Sequence, residues 1–146
     1  MVHDEPSTRS ALNRLLAVSI LMADDMARGL AARDLTRARA NALWELAQQG
    51  PSTQRQIADR LHVTPRNITK LVDALEQTGF VTRTSHDTDR RAVLVRLTPK
   101  GERAAKRMES EANALADDLF GNLPPEDVAA VIRVLDHIAA RLTPDA

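Results

Sequence analysis

The sequence predicts a mainly α fold that carries one small β-hairpin. Three observations predict it. Apolar residues recur at helical spacing through both ends of the chain, the period switches to alternation only between residues 80 and 97, and the 146 residues are 43% hydrophobic and 27% charged, as in ordinary folded chains. The length suits one domain, or one domain with a dimerisation extension. There are no cysteines, which excludes disulfides, thiolate metal sites and cysteine redox sensing. Only Trp44, Phe80 and Phe120 are aromatic, so the core must rest on Leu, Val, Ile and Ala, and an RNA-binding sheet with stacked aromatics is disfavoured.

Residues 7–30 read as one long helix, with Leu12, Leu15/Leu16 and Ile20 in register and Val18 and Leu21 widening the apolar face beyond what a surface helix needs. Part of that face is expected to bury against another chain. A second helix follows over 36–49, with Thr36 as N-cap, Leu43, Leu46 and Ala47 inward, and Gly50-Pro51 as the stop. Thr53 and Gln56 form a capping box for a short third helix bearing Ile57, Ala58 and Leu61. Leu61-His62-Val63 is a tight turn. Thr64 caps a fourth helix with Pro65 at its first position, Ile68, Leu71, Val72 and Leu75 form its buried stripe, and Gly79 ends it.

Residues 80–85 and 92–97 are β-type runs, the second with Val93, Val95 and Leu97 alternating with Leu94 and Arg96. The polar stretch at 86–91 is the hairpin tip. Thr98-Pro99 opens a long fifth helix to about residue 120, and a sixth runs over 125–142 with Val128, Val131/Ile132, Leu135, Ile138 and Leu142 along it. No run approaches the roughly 20 apolar residues of a membrane span. Arg9 and Arg14 precede the apolar stretch at 15–23, but Asp4 and Glu5 and the continuing helical pattern argue against a signal peptide, so the expected compartment is the cytoplasm.

The formal net charge is zero, yet residues 53–107 hold twelve Lys/Arg against six Asp/Glu, a net of +6, and the remainder carries −6. A basic middle between acidic flanks suits a polyanion. Two short helices joined by a tight turn and followed by a hairpin make a winged helix-turn-helix lobe. At the start of its fourth helix stand Thr64, Pro65, Arg66, Asn67, Thr69 and Lys70. Arg suits guanine and Asn suits adenine in the major groove, while Lys70 and the Thr hydroxyls suit phosphate. Arg90 and Arg91 at the hairpin tip can reach a minor groove, with Asp89 beside them able to hold an arginine extended. Thr53, Arg55 and Arg83 complete the expected DNA-binding set.

The ordered residues Thr53, Ile57-Ala58, Leu61-His62-Val63-Thr64, Ile68-Thr69, Leu71-Val72-Asp73, Leu75-Glu76, Gly79-Phe80-Val81, Arg83, Asp87-Thr88-Asp89-Arg90-Arg91, Val95-Arg96-Leu97-Thr98 and Gly101 resemble the MarR family of bacterial winged-helix regulators. The resemblance implies one domain over 1–146, with 7–33 and 99–142 as dimerisation helices and 34–98 as the DNA-binding lobe. It implies a homodimer on double-stranded DNA, with a wing arginine, here Arg91, in the minor groove and Asp89 bracing it. His62 departs from the glycine that many members carry in the turn; His enters the left-handed region more readily than most non-glycine residues. Many members release DNA when a small aromatic or phenolic compound fills the crevice between dimer body and DNA-binding lobe, which implies a site lined here by the first and second helices and the start of the fifth. Met22, Met26, Arg39, Leu43 and Trp44 are the candidates here, although Trp44 reads more readily as a core aromatic and the methionines more readily as gap-filling core or dimer interface.

His3, His62, His86 and His137 are scattered, so no zinc site is expected. No glycine-rich phosphate loop, H-E-x-x-H or nucleophile elbow occurs, so neither an enzyme nor a bound cofactor is expected. A winged-helix module that binds protein and not DNA is the alternative, against which the double arginine and the basic middle weigh.

Overall fold

The computed structural model describes residues 5–85 and 92–144. Among these, six helices and two strands follow in the order α1 (Thr8–Ala31), α2 (Arg37–Gln49), α3 (Gln54–Leu61), α4 (Pro65–Gln77), β1 (Val81–Ser85), β2 (Val93–Leu97), α5 (Pro99–Phe120) and α6 (Pro125–Leu142). The hairpin tip at 86–91, with Asp89, Arg90 and Arg91, lies outside the described residues. The chain divides into two compact units, residues 1–105 and 106–146.

Hydroxyl caps start the helices of the first unit where the local sequence places them. The Thr36 hydroxyl accepts from Arg39 N–H at 3.2 Å, and the Thr64 hydroxyl from Asn67 N–H at 3.1 Å. At Thr53 the box is reciprocal: Gln56 N–H donates to the Thr53 hydroxyl at 3.2 Å and Thr53 N–H to Gln56 Oε1 at 2.9 Å. Each satisfies backbone donors that a helix start leaves orphaned.

The stops are equally specific. His62 sits in the left-handed region (φ 54, ψ 43), and Val63 N–H closes back on Ala58 O at 3.0 Å. Gly79 has φ 83; its N–H donates to Glu76 O at 3.1 Å and Phe80 N–H to Leu75 O at 2.9 Å, a Schellman end to α4.

The core of this unit joins α2, α3, α4 and the hairpin. Leu43, Ile57, Ile68, Val72, Leu75, Val81 and Val95 are fully buried within it. Ala42 is buried and Ala47, expected inward, is exposed, because Ala40, Ala42, Leu43 and Leu46 set the buried stripe and Ala47 falls at its edge. β1 and β2 pair antiparallel from Val81↔Leu97 to Ser85↔Val93. Ser52 adds an antiparallel bridge to Val95, with N–H···O distances of 3.2 and 2.8 Å, which ties the α2–α3 connection to β2.

The strict alternation expected for β2 does not hold. Leu94 and Val95 are both buried, and Val93 is exposed. Val93 pairs with exposed Ser85 at the outer end of the hairpin, where burial fades on both strands.

Thr98 links the end of α4 to the start of α5. Its hydroxyl donates to Gly79 O at 2.5 Å and accepts from Gly101 N–H at 3.2 Å. The second unit contains the rest of α5 and α6. No described residue of α6 is buried, and Leu119, Phe120, Leu123, Ile132, Val134, Leu135 and Leu142 are exposed.

Candidate nucleic-acid interface

The start of α4 concentrates the features expected of a groove-reading helix. Thr64, Pro65, Arg66, Asn67, Thr69 and Lys70 are all exposed. The side chains of Arg66, Asn67 and Lys70, and of Arg55 in the first turn of α3, have no hydrogen-bond or ionic partner among the described residues. Three cations and an amide are thus available to a ligand on two neighbouring helix starts, whose backbone dipoles also favour an anion. Arg and Asn carry the donor patterns that match guanine and adenine edges.

Three other residues assigned from sequence are engaged inside the protein. Thr53 is held in its capping box. The Thr69 hydroxyl donates to Pro65 O at 3.0 Å and accepts from Gln54 Nε2 at 3.1 Å. Arg83 commits its guanidinium most fully. It donates through Nη2 to Asp73 Oδ1 at 2.6 Å, through Nη1 to Glu76 Oε1 at 2.9 Å, and through Nε and Nη2 to Gln54 Oε1 at 3.1 and 2.9 Å. Its backbone N–H also donates to Glu76 Oε2 at 3.0 Å. Four of its five N–H donors are therefore taken.

Partial burial works against the charged form of Arg83, and the carboxylates of Asp73 and Glu76 outweigh it, so its pKa is raised above the ordinary arginine value. Its side chain is only 24% exposed, against 53% for Asp73 and 41% for Glu76. Arg83 is a clasp between β1 and the far turns of α4. Arg83 belongs to the DNA-binding set expected from sequence, whereas here its guanidinium is turned to partners within the protein. Asp73 and Glu76, three apart on one helix, are the local signal that an ion pair was available. Gln54 was missed: a lone polar residue at a helix start carries no sign of a partner 29 residues away.

An open groove of about 590 Å3 runs between α3 and α4, with Ala58, Val63 and Ile68 among the apolar residues lining it and Arg55 and Asp59 among the charged. The residues named for an effector are placed differently from one another. Met22 and Met26 are exposed on α1, Arg39 is half-buried, and Trp44 is 37% exposed on α2, so Trp44 is not a core aromatic of the single chain. Leu43 is fully enclosed in the core, which leaves it no surface for a ligand. Among the described residues no group of three or more His, Asp or Glu is placed to hold a metal ion, and no helix is long and apolar enough to cross a membrane.

Comparison with known proteins agrees with this geometry. Residues 35–93 match the model of the MarR family. The HTH-type transcriptional regulator YwhA of Bacillus subtilis is 28% identical over 92 residues, which are 63% of this chain and 66% of that protein. The regulator PapX of Escherichia coli is 30% identical over 82 residues, 56% of this chain and 50% of PapX. The chain thus spans between half and about two thirds of the length of these curated relatives. Among solved structures, RV1404 of Mycobacterium tuberculosis superimposes with a TM-score of 0.79 at 22% identity, covering 99% of this chain and 100% of that one. FabT of Streptococcus pneumoniae, solved in complex with DNA, gives 0.77 at 20% identity over 92% and 94% of the two chains. These likenesses fix the fold.

Proposed function

We propose that the chain, which matches the MarR family model over residues 35–93, is a winged helix-turn-helix transcriptional regulator of that family and acts as a homodimeric, ligand-responsive repressor on a palindromic operator in the cytoplasm. The observation that carries the reading is the start of α4, where Arg66, Asn67 and Lys70 stand exposed and without side-chain partners among the described residues, on a helix fixed by its Thr64 cap. Helix α4 enters the major groove, with Arg66 and Asn67 at base edges and Lys70 and Arg55 on phosphates. The lobe at 34–98 binds DNA, and the helices at 7–33 and 99–142 dimerise. Asp89 and Arg91 carry the wing contact, Asp89 holding Arg91 extended for the minor groove.

A bare dimer seated on a promoter occludes it, which favours repression. A small aromatic or phenolic compound is the effector class of this reading, with Met22, Met26, Arg39 and Trp44 as its candidate neighbours. The FabT–DNA complex supports the DNA reading by analogy of fold.

The test is DNA binding measured against salt. Released counterions give a steep fall in affinity with salt, with a slope of about −0.9 per phosphate neutralised, and footprinting should then return a two-fold-symmetric site. Binding that is absent at low salt, or that never discriminates among sequences, rejects the proposal. A thermal-shift screen of aromatic acids and phenols tests the effector.

A further inference from the structure

We propose that Gln54 is a positioning residue that holds the recognition helix and the wing strand as one unit, so that base readout depends on a side chain that touches no DNA; the inference rests on the DNA-binding reading above. Residues Pro65, Thr69, Asp73 and Glu76 fall at i, i+4, i+8 and i+11 of α4 and so share one face of the helix. All four are polar attachment points. Thr69 donates to the Pro65 carbonyl in the first turn, while Asp73 and Glu76 accept from Arg83 in the later turns.

Gln54 joins the two halves of that row. Its Nε2 donates to Thr69 at 3.1 Å, and its Oε1 accepts both Nε and Nη2 of Arg83. A continuous chain therefore runs from Pro65 O through Thr69, Gln54 and Arg83 to Asp73 and Glu76, and it links α3, α4 and β1.

The chemistry requires an amide. Gln54 must accept from a guanidinium and donate to a hydroxyl on one planar group, which a carboxylate cannot do. Arg66, Asn67 and Lys70 project from the first turns of the same helix, so a change in its seating moves every candidate base contact together. Small displacements of a binding group lower discrimination before they lower general electrostatic attraction, because only the base contacts are geometrically strict.

The experiment compares the wild-type protein with Gln54→Ala, Gln54→Glu and Thr69→Val on the footprinted site and on scrambled DNA, across salt. Gln54→Ala should lower the ratio of specific to non-specific affinity about tenfold, the effect of losing roughly one net hydrogen bond. Non-specific affinity and its salt slope should stay unchanged, since no cation is removed. Thr69→Val should reproduce that loss from the other end of the link, and the double variant should be little worse than either single one. Gln54→Glu should fail to rescue discrimination. In the absence of DNA, amide hydrogen exchange should accelerate in β1 and in the first turn of α4 in Gln54→Ala and not in the α2 core.

Intact discrimination in Gln54→Ala and Thr69→Val, or unchanged exchange, overturns the proposal. A parallel loss on all sequences with an altered salt slope also overturns it, because that is the signature of a direct backbone contact. Should the wild-type protein not bind DNA, the functional reading fails by itself, and the exchange arm still decides whether Gln54 couples the two elements.

Discussion

Gly101 sits at the third position of α5, where the helix start is pressed against the end of the recognition lobe, and Gly101→Ala is expected to destabilise the protein although alanine is the better helix former. A Cβ at residue 101 would stand 2.1 Å from Phe80 O and 3.1 Å from Leu97 Cδ2. Real Cβ atoms essentially never approach below 3.0 Å, so the Phe80 carbonyl and the α5 start must separate by about an ångström. The carbonyl is not free to move. It accepts Thr98 N–H at 3.1 Å, and Phe80 itself is buried with Lys100 Nζ 4.4 Å from its ring centre.

Forced repacking costs about 1–3 kcal/mol, and straining a buried backbone hydrogen bond costs about another 1–3 kcal/mol. The higher helix propensity of alanine returns about 1 kcal/mol, which leaves a net loss of roughly 1–5 kcal/mol. For a chain of this size that corresponds to a melting temperature lower by roughly 3–20 °C. The assay is thermal unfolding by circular dichroism at one fixed protein concentration, since the midpoint of the proposed dimer would depend on concentration. Gly29→Ala is the contrasting control. It lies in α1 with nothing within 4 Å of the added carbon, so it should raise stability by up to about 1 kcal/mol. A Gly101→Ala protein that melts with the wild type or above it would refute the close-approach reasoning.

Arg66→Ala and Asn67→Ala should each cost about 1–3 kcal/mol on the specific site and relax the preference at one position per half-site; equal weakening on every sequence would reassign them to phosphates. Leu135→Asp should give a monomeric or unfolded chain by light scattering, and a folded dimer would contradict the proposed role of α6. His62→Gly should raise stability by roughly 0.5–1 kcal/mol in chemical denaturation, because glycine enters the left-handed region without the Cβ penalty; a lower midpoint would show that the imidazole contributes more than its backbone costs. Arg91→Ala should weaken DNA binding strongly in a titration. Asp89→Ala should weaken it too, although removing a negative charge favours DNA electrostatically, and tighter binding would dispose of the bracing role.

Local signals were legible in the sequence, and long-range ones were not. Thr36, Thr53 and Thr64 could be read as caps because each acts on a backbone N–H three residues away. The turn at His62 and the end at Gly79 are local for the same reason. The Ser52–Val95 bridge and the Gln54–Arg83 bonds join residues far apart in sequence, and nothing within a helical turn of either partner marks them. The candidate interface divided along that line. Arg55, Arg66, Asn67 and Lys70 were identifiable from type and position, whereas the inward engagement of Thr69 and Arg83 depends on neighbours that only the fold supplies. Val93 shows the same limit, since alternation cannot say how far along a hairpin the core extends.

The distribution of exposed apolar side chains supports the division of labour in the proposed function. Sixteen large hydrophobic residues are exposed among the described ones, and all but Trp44 and Val93 lie on α1, α5, α6 or the α5–α6 connection. Scattered exposed leucines need no explanation, but α1 alone carries seven of them, and soluble monomers rarely leave so much contiguous apolar surface on an element. The chain's excess positive charge, +6 over residues 53–107, falls half on α3 and the hairpin and half on the start of α5, residues 99–107, while α4 is neutral overall. Exposed apolar residues thus gather on α1, the end of α5 and α6, and the cationic excess on α3, the hairpin and the start of α5, so the two overlap only on α5 and at its opposite ends. Self-association through the first set is compatible with an exposed second set, and closed two-fold pairing repeats one patch on both subunits. Such a dimer offers two copies of α4, which calls for half-sites about one helical turn of DNA apart.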